Sequence, residues 1–99
     1  MKKAAIGLAA MLFACGLPAQ DWPSVQPEAK PGSRWWWPGS AVDSDNLTFT
    51  MNEYAKAGMG ALEITPIYGV KGNEANELSF LSPEWMQVLK HTLSEGKRT

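Results

Sequence analysis

The spacing of apolar and polar residues predicts a strand, a helix, a second strand and a second helix. Residues 33–37 hold three consecutive Trp, and a strand with large rings on both faces is typical of a parallel sheet covered on both sides. A Pro-Gly pair ends this strand. Residues 44–57 then carry apolar positions at helical spacing. The acidic cluster at 43–45 is suited to capping this helix, and Gly58 to stopping it.

The second half of the chain repeats this order. Residues 61–65, followed by a Pro, place their apolar pair on one strand face and Glu63 with small or polar neighbours on the other. Residues 66–81 form a connection of the length usually found at functional sites. Ser82 is suited to capping a helix that Gly96 ends. The sequence therefore predicts an α/β fold, the first two βα units of a parallel (β/α)8 barrel that is incomplete in this chain.

The amino terminus has the composition of an export signal. Lys2 and Lys3 precede an uncharged apolar run, so residues 1–19 are predicted to be a signal peptide, which is too short to span a bilayer. Cleavage after residue 19 would release a soluble chain, whereas Cys15 lies in a loose lipobox and would become a lipid anchor. Both routes stay open, and both predict a secreted protein of the periplasm or the outer-membrane surface.

Composition bounds the partners and the size of the core. Without the two leader lysines, seven basic residues face ten acidic ones, which excludes a nucleic-acid footprint. Residues 20–32 contain three Pro and predict an extended lead-in. Residues 33–99 would begin a catalytic barrel domain, and so short a segment buries only a marginal core. We therefore expect the amino-terminal fragment of a longer protein, inactive by itself.

The Trp run is the first candidate binding feature. Strand carboxyl ends line ligand sites in parallel α/β folds, and an indole can stack on a sugar ring while its N–H donates to a hydroxyl. Trp36 is predicted to be the core ring. Trp35 and Trp37 are predicted to contact a carbohydrate substrate.

Glu63 and Tyr68 complete the predicted substrate-binding set. Glu63 is expected to point inward near the carboxyl end of its strand, where it either binds substrate or forms an ion pair with Arg34. Tyr68 opens the long connection. Glycosidases need two carboxylates at a defined separation, and only one inward candidate appears. No catalytic residue or metal ligand is therefore assigned.

Two further groups favour structural roles. Asp43, Asp45 and Asn46 have oxygen ligands suited to calcium, but they lack the Gly and the distal Glu of a calcium loop, so helix capping is favoured. His91 falls on the polar face of the last helix and is predicted to be solvated. Trp22 in the lead-in is expected to pack on the body of the protein, with an exposed ring as the alternative.

The chain resembles the amino-terminal end of bacterial α-L-rhamnosidases of glycoside hydrolase family 106. The resemblance rests on Arg-Trp-Trp-Trp-Pro-Gly at 34–39 and Ala-Gly-Met-Gly-Ala-Leu-Glu-Ile at 57–64. It implies a large exported enzyme with a (β/α)8 barrel, β-sandwich domains, inverting chemistry by paired Glu and a calcium ion at the site. The family's catalytic carboxylates lie beyond Thr99. Trp37 and Glu63 correspond by context to substrate-binding positions only.

Two functions remain open from the sequence. The first is a hydrolase that removes terminal α-L-rhamnose from plant glycans or glycosides. The second is a carbohydrate-binding surface lipoprotein without catalysis. The alternation of strands and helices favours the hydrolase, because binding modules are mostly β-sandwiches.

Overall fold

A computed structural model describes Ala19 and residues 21–99. The predicted signal peptide, apart from Ala19, and the predicted anchor at Cys15 lie outside the described residues. The described part contains two strands, two helices and two short 3₁₀ turns: β1 (Gly32–Pro38), α1 (Ser44–Lys56), β2 (Ala61–Ile67), α2 (Pro83–Arg98), and the turns Pro27–Ala29 and Glu74–Asn76. No helix in this part of the chain is long and apolar enough to cross a membrane.

The two strands pair in parallel, in register from Gly32 opposite Ala61 to Pro38 opposite Ile67. A parallel pair needs a crossover connection, and α1 lies in that connection. The prediction of an α/β fold with adjacent parallel strands is therefore confirmed for the described residues. Both strands end at the same edge of the sheet.

β2 runs two residues further than predicted and includes Pro66. The carbonyl of Ile67 accepts a hydrogen bond from the amide of Gly39 at 2.9 Å. Alternate residues of a parallel strand direct their polar groups to opposite sides, so the nitrogen of Pro66, which cannot donate, faces away from β1. Glu63 consequently lies in the amino-terminal half of β2, opposite Arg34. Its predicted position near the carboxyl end is wrong.

The predicted start and stop of α1 are confirmed. Asp43 Oδ1 accepts from the backbone amide of Asn46 at 2.9 Å, and Oδ2 accepts from the side-chain amide of Asn46 at 2.6 Å. The Asp43 side chain therefore caps the helix. Gly58 follows the helix with φ of 93°, in the left-handed region that glycine enters at little cost.

The predicted end of α2 is wrong. Ser82 caps the helix as expected, but Gly96 has no left-handed backbone, and the helix continues to Arg98. The guanidinium of Arg98 donates to Glu95 at 2.6 Å and to Asn52 of α1 at 2.8 Å. These contacts hold the last turn of α2 against α1.

The core lies between one face of the sheet and the two helices. Its buried apolar residues are Trp35, Trp37, Leu47, Met51, Trp85 and Val88. The rings of Trp35 and Trp37 meet edge to face with centroids 5.7 Å apart, and Trp37 meets Trp85 in the same way at 6.2 Å. Such aromatic pairs contribute beyond the area that they bury. Trp36 is 51% exposed, so the prediction that it is the core ring is wrong.

The two central indoles differ in their hydrogen bonding. Trp85 Nε1 donates to the hydroxyl of Ser40 at 3.0 Å in a buried contact. Ser40 has φ of 50°, and this turn brings its hydroxyl under the indole. Trp37 is 1% exposed, and its Nε1 has no acceptor among the described residues. A buried donor without a partner is costly.

This contrast predicts different costs for one chemical change. Trp85→Phe removes a satisfied hydrogen bond, whereas Trp37→Phe removes an unsatisfied donor. We expect Trp85→Phe to lower the free energy of unfolding by about 1 kcal/mol more than Trp37→Phe does. Denaturant unfolding of the purified protein followed by circular dichroism measures both, with the exposed Trp22→Phe as control. Equal losses for the two core variants would contradict this account.

The cap of α1 predicts a pH dependence. Hydrogen bonds from the backbone and side chain of Asn46 lower the pKa of Asp43 below its usual 3.8. This stabilisation is therefore present above the unfolded-state pKa and is lost as pH falls through the folded-state pKa. Asp43→Asn keeps a capping side chain that does not titrate. We expect the melting temperature of wild type to exceed that of Asp43→Asn at about pH 6, and this difference to disappear at about pH 2.

The comparison with Asp43→Asn isolates this one carboxylate. Glu74 and Glu95 also have lowered pKa values, because Glu74 accepts backbone hydrogen bonds and Glu95 accepts hydrogen bonds from Arg98. Both groups titrate equally in the two proteins. A difference in melting temperature that stays constant across the pH range would show that ionised Asp43 contributes nothing to the cap.

Candidate functional site

The face of the sheet away from the helices carries polar and aromatic side chains. Arg34 and Trp36 of β1 lie opposite Glu63 and Thr65 of β2, respectively. Side chains alternate between the two faces of a strand, and the neighbours that share the core face of β1 are Trp35 and Trp37. We call the set Arg34, Trp36, Glu63 and Thr65 the open face.

An ion pair lies on the open face in the amino-terminal half of the two strands. Arg34 Nε lies 3.3 Å from Glu63 Oε2, and their side chains are 57% and 65% exposed. The guanidinium carbon of Arg34, Cζ, lies 5.5 Å from the centroid of the Trp36 ring. The geometry matches the structural alternative in which Glu63 is the partner of Arg34. An ion pair this exposed contributes little to stability, and a substrate-binding role for Glu63 stays a prediction.

The two Trp predicted to contact substrate lie on the other face. Trp35 and Trp37 are buried beneath the helices. Trp37 is enclosed, and Trp35 borders only a second cavity on the helix side of the sheet, away from the carboxyl edge. The ring that the sheet presents to solvent is Trp36. The prediction therefore placed the rings on the wrong faces.

A shallow cleft of about 460 Å³ lies at the carboxyl edge of the sheet. It is formed by the turn after β1, the end of β2 and the long connection. Its lining residues are Gly39, Ser40, Pro66, Ile67, Tyr68, Gly69, Glu77, Leu78 and Phe80. Tyr68 is 87% exposed and is one of the residues that line this cleft. The structure thus brings one predicted site residue, Tyr68, to the carboxyl ends of both strands, and it places Glu63 away from them.

Glu77 lies against two glycines in this cleft. A Cβ atom on Gly39 would approach the Glu77 carboxylate to 2.7 Å, and a Cβ atom on Gly69 would overlap Oε1 of the same carboxylate. Gly39 also has φ of 62°, which glycine alone adopts without cost. The absence of side chains at these two positions therefore makes the space that the carboxylate fills.

Sequence reasoning missed Glu77 as a site residue. Glu77 lies in the connection 66–81, and nothing in its local sequence distinguishes it from the neighbouring Glu74. The signal that was available is a Gly within two residues of the end of each strand, at Gly39 and Gly69. Both glycines follow the carboxyl ends of parallel strands, where open α/β sheets bind ligands.

The remaining polar candidates have structural partners. His91 Nε2 and Thr48 Oγ1 lie 2.8 Å apart in a half-buried contact between α1 and α2, so the prediction of a solvated His91 is wrong. The Glu74 carboxylate accepts from the Gly72 amide at 3.0 Å. Within residues 21–99 no three acidic, His or Cys side chains group as a metal site would require.

Comparisons with known proteins bear on the family of the chain. No protein-family model, no curated protein and no solved structure matches it. The resemblance of residues 34–39 and 57–64 to family 106 therefore stays a prediction from the sequence, and the geometry described above is what supports a function.

The face assignment can be tested by two alanine variants. Trp37→Ala opens a cavity among three packed rings and should cost about 3–5 kcal/mol of unfolding free energy. Trp36→Ala removes a half-exposed ring and should cost less than about 1 kcal/mol. Denaturant unfolding of both variants gives the comparison. The reverse ranking would return Trp36 to the core and Trp37 to the open face.

Proposed function

We propose that this chain forms the first two βα units of a (β/α)8 barrel in an exported glycoside hydrolase. Its substrate would be terminal α-L-rhamnose on plant glycans or glycosides. The observation that carries the proposal is the parallel pairing of β1 with β2 across α1. Parallel sheets built this way bind ligands at the carboxyl ends of their strands, and the cleft lies at that edge.

The distribution of side chains across the sheet supports a barrel. Both helices pack on the face that carries Trp35 and Trp37, as the outer helices of a barrel do. The open face would then line the barrel interior, where layers of side chains fill the space. In that arrangement the pair of Arg34 and Glu63 lies deep in the barrel and Trp36 lies nearer the substrate edge.

The cleft offers surfaces suited to a sugar. The ring of Tyr68 can stack on the apolar face of a pyranose while its hydroxyl takes part in hydrogen bonds. Inverting hydrolysis needs two carboxylates about 6.5–9.5 Å apart, and we assign no such pair within the described residues. The catalytic carboxylates and the calcium ion implied by the family resemblance would come from elsewhere in the complete enzyme.

A second candidate is a surface lipoprotein that binds carbohydrate without cleaving it. The observation in its favour is the exposure of two aromatic rings, Trp22 at 89% and Tyr68 at 87%. Trp22 does not pack on the body of the protein, so the alternative of an exposed ring applies. Such rings form sugar platforms in the absence of catalysis, and the loose lipobox at Cys15 would supply the anchor.

One experiment separates the two candidates. The intact gene product, with any sequence encoded beyond Thr99, is incubated with 4-nitrophenyl α-L-rhamnoside, and binding of L-rhamnose is measured by calorimetry. We expect release of 4-nitrophenol from the intact product and none from the Met1–Thr99 polypeptide, because we assign no catalytic pair within its described residues. Binding without release would support the lipoprotein. If the intact product neither binds L-rhamnose nor releases 4-nitrophenol, both proposals are contradicted.

A further inference from the structure

We propose that Glu77 is a substrate-binding residue whose carboxylate accepts hydrogen bonds from two neighbouring hydroxyls of a neutral saccharide in the cleft. This inference rests on the proposed carbohydrate function and names the side chain that would hold the sugar. It differs from the sequence-based prediction, which assigned this role to Glu63 on the open face.

The backbone of Glu77 is held on both sides along the chain. Its backbone amide donates to the Glu74 carbonyl at 3.2 Å and closes a 3₁₀ turn. The next residue, Leu78, packs against the core. The carboxylate itself lies in the space beside Gly39 and Gly69 that a Cβ atom at either position would enter. The backbone that carries this carboxylate is therefore in place before a ligand arrives, which lowers the entropy cost of binding.

The carboxylate of Glu77 remains available to a ligand. Among the described residues it forms no ion pair, since those found join other acids, Glu63, Glu53 and Glu95, to their cations. The side-chain hydrogen bonds of the neighbouring Glu74 and Asn76 stay within the connection. An ionised carboxylate accepts only, so its ligand must supply donors.

The described residues that line the cleft disfavour an anionic ligand and suit one with an apolar face. It includes no Lys, Arg or His, so an anionic ligand would meet only the negative charge of Glu77. Tyr68 and Phe80 contribute exposed rings to the same cleft. Paired hydroxyls beside an apolar C–H surface are the chemistry of a pyranose, and a carboxylate binds two hydroxyls through charge-assisted hydrogen bonds. The geometry thus points to a saccharide.

Three variants of the intact gene product test the inference. Glu77→Gln removes the charge but keeps the size, and Gly69→Ala adds a methyl group that pushes the carboxylate out of its place. Glu28→Gln is the matched control, because Glu28 is exposed and lies in the lead-in turn outside the cleft lining. The readouts are kcat/KM on 4-nitrophenyl α-L-rhamnoside, affinity for L-rhamnose by calorimetry, and melting temperature.

We expect Glu77→Gln to lower both kcat/KM and the affinity for L-rhamnose by about tenfold or more. Gly69→Ala should lower both in the same direction, and Glu28→Gln should match wild type. Melting temperatures should stay unchanged, since Glu77 is exposed and forms no ion pair among the described residues. A fall in melting temperature without a fall in affinity would mean that Glu77 only supports the loop, and would overturn the inference.

The remaining outcomes separate the inference from the proposed function. If wild type cleaves or binds rhamnose and Glu77→Gln equals it, the inference fails and the function stands. If wild type neither cleaves nor binds, the function fails and takes the inference with it. If Glu77→Gln does not fold, Gly69→Ala decides, because unchanged affinity in that variant overturns the role of Glu77. Loss of binding to a divalent cation alone, with sugar affinity intact, would also overturn it.

Discussion

The packing of Trp37 between Trp35 and Trp85 is the contact on which the other features depend. It places both helices on one face of the sheet, because the rings of 35 and 37 need a covering layer and Trp85 of α2 supplies part of it. Alternation along β1 then leaves Arg34 and Trp36 on the opposite face. The bond from Trp85 to Ser40 joins the helix to the turn that forms one wall of the cleft.

Local chemistry made the elements predictable. The cap at Asp43, the stop at Gly58 and the cap at Ser82 each depend on a few neighbouring residues, and each has the role that the sequence indicates. The parallel strand pair also follows from the order of elements. The faces of β1 were harder to predict because three identical residues show no alternation. Arg34 held the missing signal, since its charge favours the uncovered face and takes Trp36 with it.

The other features that were predicted wrongly or missed from the sequence share one cause, which is that they depend on tertiary contacts. Pro66 stays within β2 because its nitrogen faces away from β1, and α2 passes Gly96 because Arg98 bonds to Asn52 of the other helix. Neither fact is visible in a local window of sequence. Glu77 is the same case in the site, because its place depends on glycines that lie eight and many more residues away. A steric fit between distant segments has no periodicity for a sequence pattern to reveal.

The hydrogen bond between Trp85 and Ser40 also depends on a residue that is synthesised late. It joins residues 45 positions apart, whereas Arg34 and Glu63 in the paired strands are 29 apart. Residue 85 is synthesised after both strands, so β1 and β2 can pair before α2 is available to dock. During synthesis, α1 can cover Trp35 through Tyr54, but the part of the sheet face beside Trp37 that Trp85 covers is exposed until residue 85 has left the ribosome. In that interval the apolar surface that is exposed to aggregation with other chains is the surface that later becomes the core.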